Sequence, residues 1–444
     1  MSVPGLVERA LSRVVDARPA EVPGLLAAFA YHFLLFTAYY ILRPIRDSMG
    51  VGGGAENLPD LFGWTLLAML VGVPVFGWFS GRFRRSVFLP WTYLFFVAQL
   101  VGIWALFNLL EDRAAAARFF FVWVSVFNLF VISVFWSFMA DLFDKEQGKR
   151  LFAFITAGAS AGAMSGSAVT AFLAKAVGEV NLLLVSAALL ASTIALMRYL
   201  FGWSERRQAR GERIETRAIG GNPFAGLWKV LSTPYLGGIA AFIFLMAGVN
   251  TVLYIQQAGL LEIHYPDGDA RTAFLGSIEL ALSVITILLQ LFAIGRLTKR
   301  AGVATMIVVV PLFVVGGFLL IAASPTLATL VAVFIARRVG QYAIVRPCRE
   351  MLYTTVDRES KYKAKNVNDT LVYRTSDFVF AKAQVIIESA LQASLAGMAL
   401  FGAAVATAWA AVAFTLGRAH ERINEEHGGD APLHVREGAR RIEG

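Results

Sequence analysis

The chain has 444 residues, 57% of them hydrophobic and 16% charged, whereas soluble domains carry about 25% charged residues. That balance excludes a soluble globular protein, and apolar runs recurring from end to end indicate a polytopic membrane protein. The net charge of +9 raises a nucleic-acid partner as a question, while the single cysteine, Cys348, excludes an internal disulfide.

The first twenty residues, MSVPGLVERALSRVVDARPA, mix charges and hold too short an apolar stretch for a secretory signal, so insertion is expected to begin at the first span. Twelve spans follow, at 24–45, 61–80, 87–110, 117–141, 151–174, 180–201, 234–257, 272–295, 302–323, 326–353, 367–391 and 395–417. Each is long enough to cross about 30 Å of hydrocarbon at about 1.5 Å per residue. With the N-terminus in the cytoplasm, the opposite connections hold only four of the 40 Lys and Arg: Arg113, Arg118, Lys175 and Arg271. Most of the others lie on the cytoplasmic side, a strong positive-inside signal that places both termini there, in a cell inner membrane. The basic excess is therefore topology, and no nucleic-acid partner is needed. The longest polar connection follows span 6. It divides the chain into a 1–23 segment, a 24–201 half, a 202–233 linker, a 234–417 half and a 418–444 tail. An all-α membrane protein of twelve helices in two six-helix halves has the plan of a major-facilitator transporter.

Two local patterns support the division. Asp144-Lys-Glu-Gln-Gly-Lys-Arg150 follows span 4 and Asp357-Arg-Glu-Ser-Lys-Tyr-Lys363 follows span 10, with the same acid, base, acid order. In span 5, Gly158, Gly162 and Gly166 recur every four residues, which marks a face for close helix contact and not a phosphate loop.

The charges inside the spans carry the functional question, since each is expensive at membrane depth. Residues 43–47 read RPIRD and residues 346–350 read RPCRE. In a transporter of this plan spans 1, 4, 7 and 10 line the cavity, which puts both stretches on it. Arg43/Asp47 and Arg346/Glu350 are four apart and can meet on one helical face, with Arg46 and Arg349 bordering it. Pro44 and Pro347 each remove a backbone donor and are expected to kink their helices. Span 11 adds Arg374, Asp377 and Lys382, giving an inward cluster of Arg346, Arg349 and Arg374 with Glu350 and Asp377. Span 10 also holds Arg337 and Arg338, and span 8 holds Glu279. Arginine surplus over acid suits a phosphate or carboxylate ligand, so the expected substrate is an organic anion. The arginines and Lys382 are the candidate ligands, and Asp47, Glu279, Glu350 and Asp377 the candidate gating or coupling acids. The competing reading is that the Arg–acid pairs only neutralise one another or latch one face shut. His32 is read as a helix-contact residue before a proton relay. Tyr39, Tyr40 and Trp136 sit on cavity spans, with packing favoured over stacking on a base. No HExxH, Ser/His/Asp arrangement or metal-ligand cluster appears, so neither enzyme activity nor a cofactor is expected.

The motifs resemble the ATP/ADP translocases of plastids and intracellular bacteria, a nucleotide-carrying branch of the major-facilitator fold. Ile41-Leu-Arg43-Pro-Ile-Arg46-Asp47 is similar to that family's span-1 ILRxxKD, and Arg349-Glu350-Met351-Leu-Tyr353 to its KEMxY. Phe135-Trp136-Ser-Phe138, Tyr265-Pro266, Phe274-Leu-Gly276 and the basic stretch Lys361–Arg374 continue the likeness in order along the chain. Two departures stand out. Tyr254-Ile-Gln256-Gln257-Ala258 replaces the family's acidic and Trp-Lys pattern late in span 7, and Arg374-Thr-Ser376 is the nearest match to its Gly-Lys-Ser in span 11. The resemblance implies a nucleotide or related phosphate-bearing solute. The expected activity is alternating-access transport of that anion across the bilayer, as an exchanger (antiport) or a proton-coupled carrier, with a monomer one of the open states of assembly. The alternatives are a carrier of another anionic metabolite and a non-transporting membrane sensor or assembly subunit of the same fold.

Overall fold

The computed structural model describes residues 15–82, 85–208, 225–356 and 358–427. The first fourteen residues, Phe83 and Arg84, residues 209–224 of the 202–233 linker, Asp357 of the second acid–base–acid stretch and the end of the tail lie outside them. Among the described residues the chain is helical, and eleven helices are long and apolar enough to cross a membrane. The twelfth predicted span is helical too, as Arg358–Val367, a π turn at Asn368–Val372 and Tyr373–Leu391. Its Lys, Arg and Asp residues keep it below the apolarity of the others. The protein is an all-α, twelve-helix membrane protein.

Most spans run several residues past their predicted ends. Span 1 is Val22–Gly52 with Pro44 inside it, and span 7 runs from Pro234 to His264. Polar and small residues at the ends continue the backbone ladder where hydropathy alone stops. Span 9 is set by a glycine: Gly302 at φ 76° breaks the helical path, and the apolar stretch Gly302–Ala323 starts there. Span 10 is Leu327–Thr355, interrupted by a π turn at Gln341–Val345. The carbonyl that the Pro347 ring would meet, four residues back, is that of Ala343, inside the wide turn. The π turn is thus where the helix absorbs the proline.

Two compact units result. The first comprises Met1–Gly53, Val71–Gly220 and Tyr265–Ser283, so far as these are described; the second comprises Gly54–Leu70, Gly221–His264 and Val284–Gly444, with the same proviso. Spans 2 and 8 are therefore each divided between the two, and the Glu279-bearing part of span 8 folds with span 1.

Within the first unit, the predicted glycine face packs as its spacing demands. A Cβ added at Gly158, Gly162 or Gly166 would lie 2.6, 2.3 or 2.4 Å from the carbonyl oxygens of Phe29, Phe33 and Thr37. Both series climb by four, so spans 1 and 5 run parallel and in backbone contact, as two odd-numbered spans must. Span 1 is also tied at its start. The buried Glu21 carboxylate accepts from the Arg18 amide (2.9 Å), the Gln147 side chain (2.8 Å) and Arg150 (3.1 Å). Burial alone would raise the pKa of Glu21, but these three donors together hold it below the ordinary value. Asp144 and Gln147 form a reciprocal cap on span 5 at 2.8 and 3.1 Å, giving the first acid–base–acid stretch a structural task.

In the second unit, the ends of spans 10 and 11 are joined through Asn368, whose amide donates to the Tyr353 hydroxyl at 2.9 Å. Tyr235 of span 7 donates its hydroxyl proton to the Leu352 carbonyl at 2.9 Å. These bonds fix the frame around the second arginine stretch.

Candidate anion site

In the first unit the charges of span 1 are matched. Arg43 lies 3.6 Å from Glu279 of span 8, and its guanidinium sits 5.8 Å from the Tyr40 ring centre. Arg46 places two nitrogens on one oxygen of Asp47, at 2.8 and 2.6 Å, reaches Ser125 at 3.4 Å and lies over the Phe121 ring at 5.1 Å. The expected Arg43/Asp47 pair is not the one formed. Asp47 has a short side chain and is neutralised by the adjacent Arg46, whose longer stem folds back to it, while Arg43 turns to the acid of span 8. Glu279 is buried, 4% exposed, with its carboxylate turned to the Arg43 guanidinium. His32 is a helix-contact residue: its Nδ1 is 2.9 Å from the Ile155 carbonyl and its ring stacks on Phe135. Trp136 packs edge-on to His32 and Phe135, and Tyr39 and Tyr40 pack edge-on to each other.

The second unit is arranged differently. A cavity of about 290 Å³ is lined by Met246 of span 7, Gln341, Tyr342, Val345, Arg346 and Arg349 of span 10, and Asp369 and Tyr373 of span 11. Both π turns open onto it: Gln341, Tyr342 and Val345 belong to one and Asp369 to the other. A π turn shifts the helical register, and here it brings Gln341 and Tyr342 to the same wall as Arg346 and Arg349. Arg346 is exposed to the cavity, and among the described residues no carboxylate pairs with it. The expected Arg346/Glu350 pair is absent because Glu350 is taken by Lys365 at 2.7 Å, with Arg349 at 3.8 Å. Arg349 is held at 3.1 Å by Asp369.

The remaining candidates lie around this cavity or away from it. Arg374 pairs with Asp377 at 3.0 Å, as expected, and Thr251 donates to the other Asp377 oxygen at 2.9 Å. Neither Arg374 nor Asp377 is on the cavity wall, so the expected cluster is divided: Arg346 and Arg349 share one space, and Arg374 faces its own acid. Arg337 is 1% exposed and donates to Gln341 at 2.9 Å and to Asn250 at 2.6 Å. It thereby orients a cavity-wall amide and is not itself on the wall. Arg338 lies against the rings of Phe334 and Tyr342, at 5.3 and 5.6 Å. Lys382, expected as a ligand, is a half-exposed cation paired with Asp60 of span 2 at 2.6 Å and does not line the cavity.

Sequence reasoning missed Asp369, Tyr342 and Tyr373 as wall residues. Asp369 carried a signal, as an acid embedded in the basic entry to span 11. The tyrosines carried none, because their facing depends on π turns that leave no signature in the residue pattern.

The sequence matches the family model described as Major Facilitator Superfamily over residues 13–348. The chain belongs to that superfamily. Within it, the chain is similar to ADP,ATP carrier protein 1 of Chlamydia muridarum, at 22% identity over 80% of each chain. It is also similar to the chloroplastic ADP,ATP carrier protein 2 of Arabidopsis thaliana, at 21% identity over 89% of this chain and 74% of that one. The translocase likeness carried by the motifs thus extends along most of the sequence. Among solved structures, a bacterial homologue of the human lysosomal transporter Spinster, inward-facing and unoccupied, matches with a TM-score of 0.56 at 15% identity, over 92% of this chain and 99% of that one. The nucleoside transporter NupG matches with a TM-score of 0.58 at 12% identity, over 90% and 98%. This major-facilitator protein is a multi-pass membrane transporter related to carriers of small molecules.

Proposed function

We propose that the protein is a secondary transporter that moves a nucleotide or a related phosphate-bearing organic anion by alternating access, as an exchanger or a proton-coupled carrier. The observation that carries this reading is Arg346, a guanidinium open to the cavity with no carboxylate of its own among the described residues, one helical turn from Arg349. A guanidinium facing a cavity without an acid partner is available to an entering anion, which it binds through charge-assisted hydrogen bonds. The volume of about 290 Å³ suits a phosphate or diphosphate group, at the lower end of pockets that hold whole ligands. Planar guanidinium groups bind such oxyanions in two-pronged fashion. The similarity to ADP,ATP carriers favours a nucleotide over other phosphate esters.

In this reading Arg346 and Arg349 contact the substrate, Arg337 positions Gln341 beside them, Arg374 with Asp377 is a pair that exchanges partners between states, and Arg43 with Glu279 anchors span 1. The termini are cytoplasmic and the membrane is the cell's inner membrane, by the charge bias of the connections. The test is uptake of labelled nucleotides by liposomes containing the purified protein. Saturable uptake that Arg346→Gln removes supports the reading, and no uptake of any nucleotide under any gradient ends it.

A further inference from the structure

The geometry points to Asp369 as a built-in competitor of the substrate: its carboxylate occupies the place on Arg349 that an entering anion takes, and leaves when that anion arrives. This rests on the anion-transport reading above and adds to it a residue and an event.

The surroundings of Arg349 carry the argument. One terminal nitrogen of Arg349 meets Asp369 at 3.1 Å and the other faces Glu350 at 3.8 Å. These two acids are not equivalent. Glu350 is held elsewhere, by Lys365 at 2.7 Å, and does not line the cavity. Asp369 lines it together with Arg346 and Arg349. Its side chain is 35% exposed, against 12% for Arg349, so the acid is the more open of the two to the cavity that both line. Asp369 makes its contact through one oxygen, and among the described residues no other ion pair or hydrogen bond holds its side chain.

A single half-exposed ion pair of this kind contributes little. A phosphate dianion reaching Arg346 and Arg349 together forms several charge-assisted bonds, each stronger than a neutral one. Displacement is therefore downhill. Asp369 also lies on the Asn368–Val372 π turn, beside the anchored Asn368, where a wide turn can slip by one residue without loss of the flanking helix. In the empty carrier the same acid has a second consequence. It neutralises Arg349, so one fewer bare charge accompanies the empty cavity when the protein changes state.

The test uses inorganic pyrophosphate as a probe of the anion site and ATP as a probe of transport. In thermal-shift titrations of the full-length protein, Asp369→Asn should bind pyrophosphate about fivefold more tightly than wild type, the equivalent of about 1 kcal/mol. Asp369→Glu, which keeps the competitor, should stay near wild type, and in an Arg349→Gln background the gain from Asp369→Asn should vanish. In liposomes, Asp369→Asn should retain exchange against internal ADP while losing a larger share of ATP uptake into empty vesicles. Unchanged or weaker pyrophosphate binding by Asp369→Asn overturns the inference, as does a gain that persists without Arg349. Absence of pyrophosphate binding to both wild type and variant overturns it as well. If pyrophosphate behaves as expected and ATP is not carried, the nucleotide reading falls and the role of Asp369 stands. If Asp369→Asn elutes as aggregate, Asp369→Glu against Arg349→Gln decides: equal binding by those two variants contradicts the inference.

Discussion

The two Arg-Pro-x-Arg-acid stretches have the same residue pattern and opposite surroundings. In span 1 both arginines are matched, Arg43 by Glu279 and Arg46 by Asp47. In span 10, Arg349 is held by a half-exposed acid and Arg346 opens onto a cavity with no carboxylate paired to it among the described residues. The backbone differs too: span 1 stays α-helical through Pro44, while span 10 widens into a π turn before Pro347. The lesson is that a local motif fixes which charges are present, whereas acids on other helices fix which of them are spent. Span 1 is a closed, anchored copy, and span 10 is the copy left open for an anion.

The largest expected effect comes from breaking the closed copy. Glu279→Gln leaves Arg43 facing a neutral amide in a buried setting, and loss of one partner from a buried pair costs about 3–5 kcal/mol. Unfolding in detergent should show that loss, and Arg43→Gln with Glu279→Gln should recover much of it. A Glu279→Gln variant as stable as wild type would mean that the two copies are not differently matched. Next in size is Gly162→Ala, which drives a methyl group into the Phe33 carbonyl of span 1. The contact is backbone, which cannot rotate away, so about 1–3 kcal/mol of stability should be lost.

A smaller, pH-dependent effect is expected at the start of span 1. Glu21→Gln removes a carboxylate with three donors, and hydrogen bonds to charged groups are worth about 1.5–3 kcal/mol, of which the neutral amide keeps a part. Because the folded pKa of Glu21 is lowered, its contribution is present above the ordinary carboxylate pKa and disappears as pH falls through the depressed value. The stability gap between variant and wild type should therefore be widest near neutrality and close in acid. A gap that grows in acid contradicts the assignment. Smallest of all is the effect of Arg346→Gln on stability, within about 0.5 kcal/mol, since Arg346 is exposed and no carboxylate pairs with it among the described residues.

The fold was legible because lipid imposes long apolar helices, and the repeats of glycine in span 5 gave a packing face that the structure places on Phe29, Phe33 and Thr37. Span 11 was the hardest to bound, because Lys365, Asp369 and Arg374 interrupt its apolar run. The candidate arginines were legible as costly charges. Their partners were not: Glu279, Asp60 and Asp369 come from other helices, and an i,i+4 rule sees only its own helix. The π turns at Gln341–Val345 and Asn368–Val372 were also beyond reach: Pro347 signals a disturbance in span 10 but not the wide turn that absorbs it, and no proline marks the second turn.

The most direct measurement compares nucleotide uptake by liposomes containing wild type, Arg346→Gln and Arg43→Gln/Glu279→Gln. The account predicts saturable uptake by wild type, its loss in Arg346→Gln without loss of folded protein, and residual uptake by the span-1 double variant. Undiminished uptake by Arg346→Gln would contradict the claim that the open arginine of span 10 receives the anion.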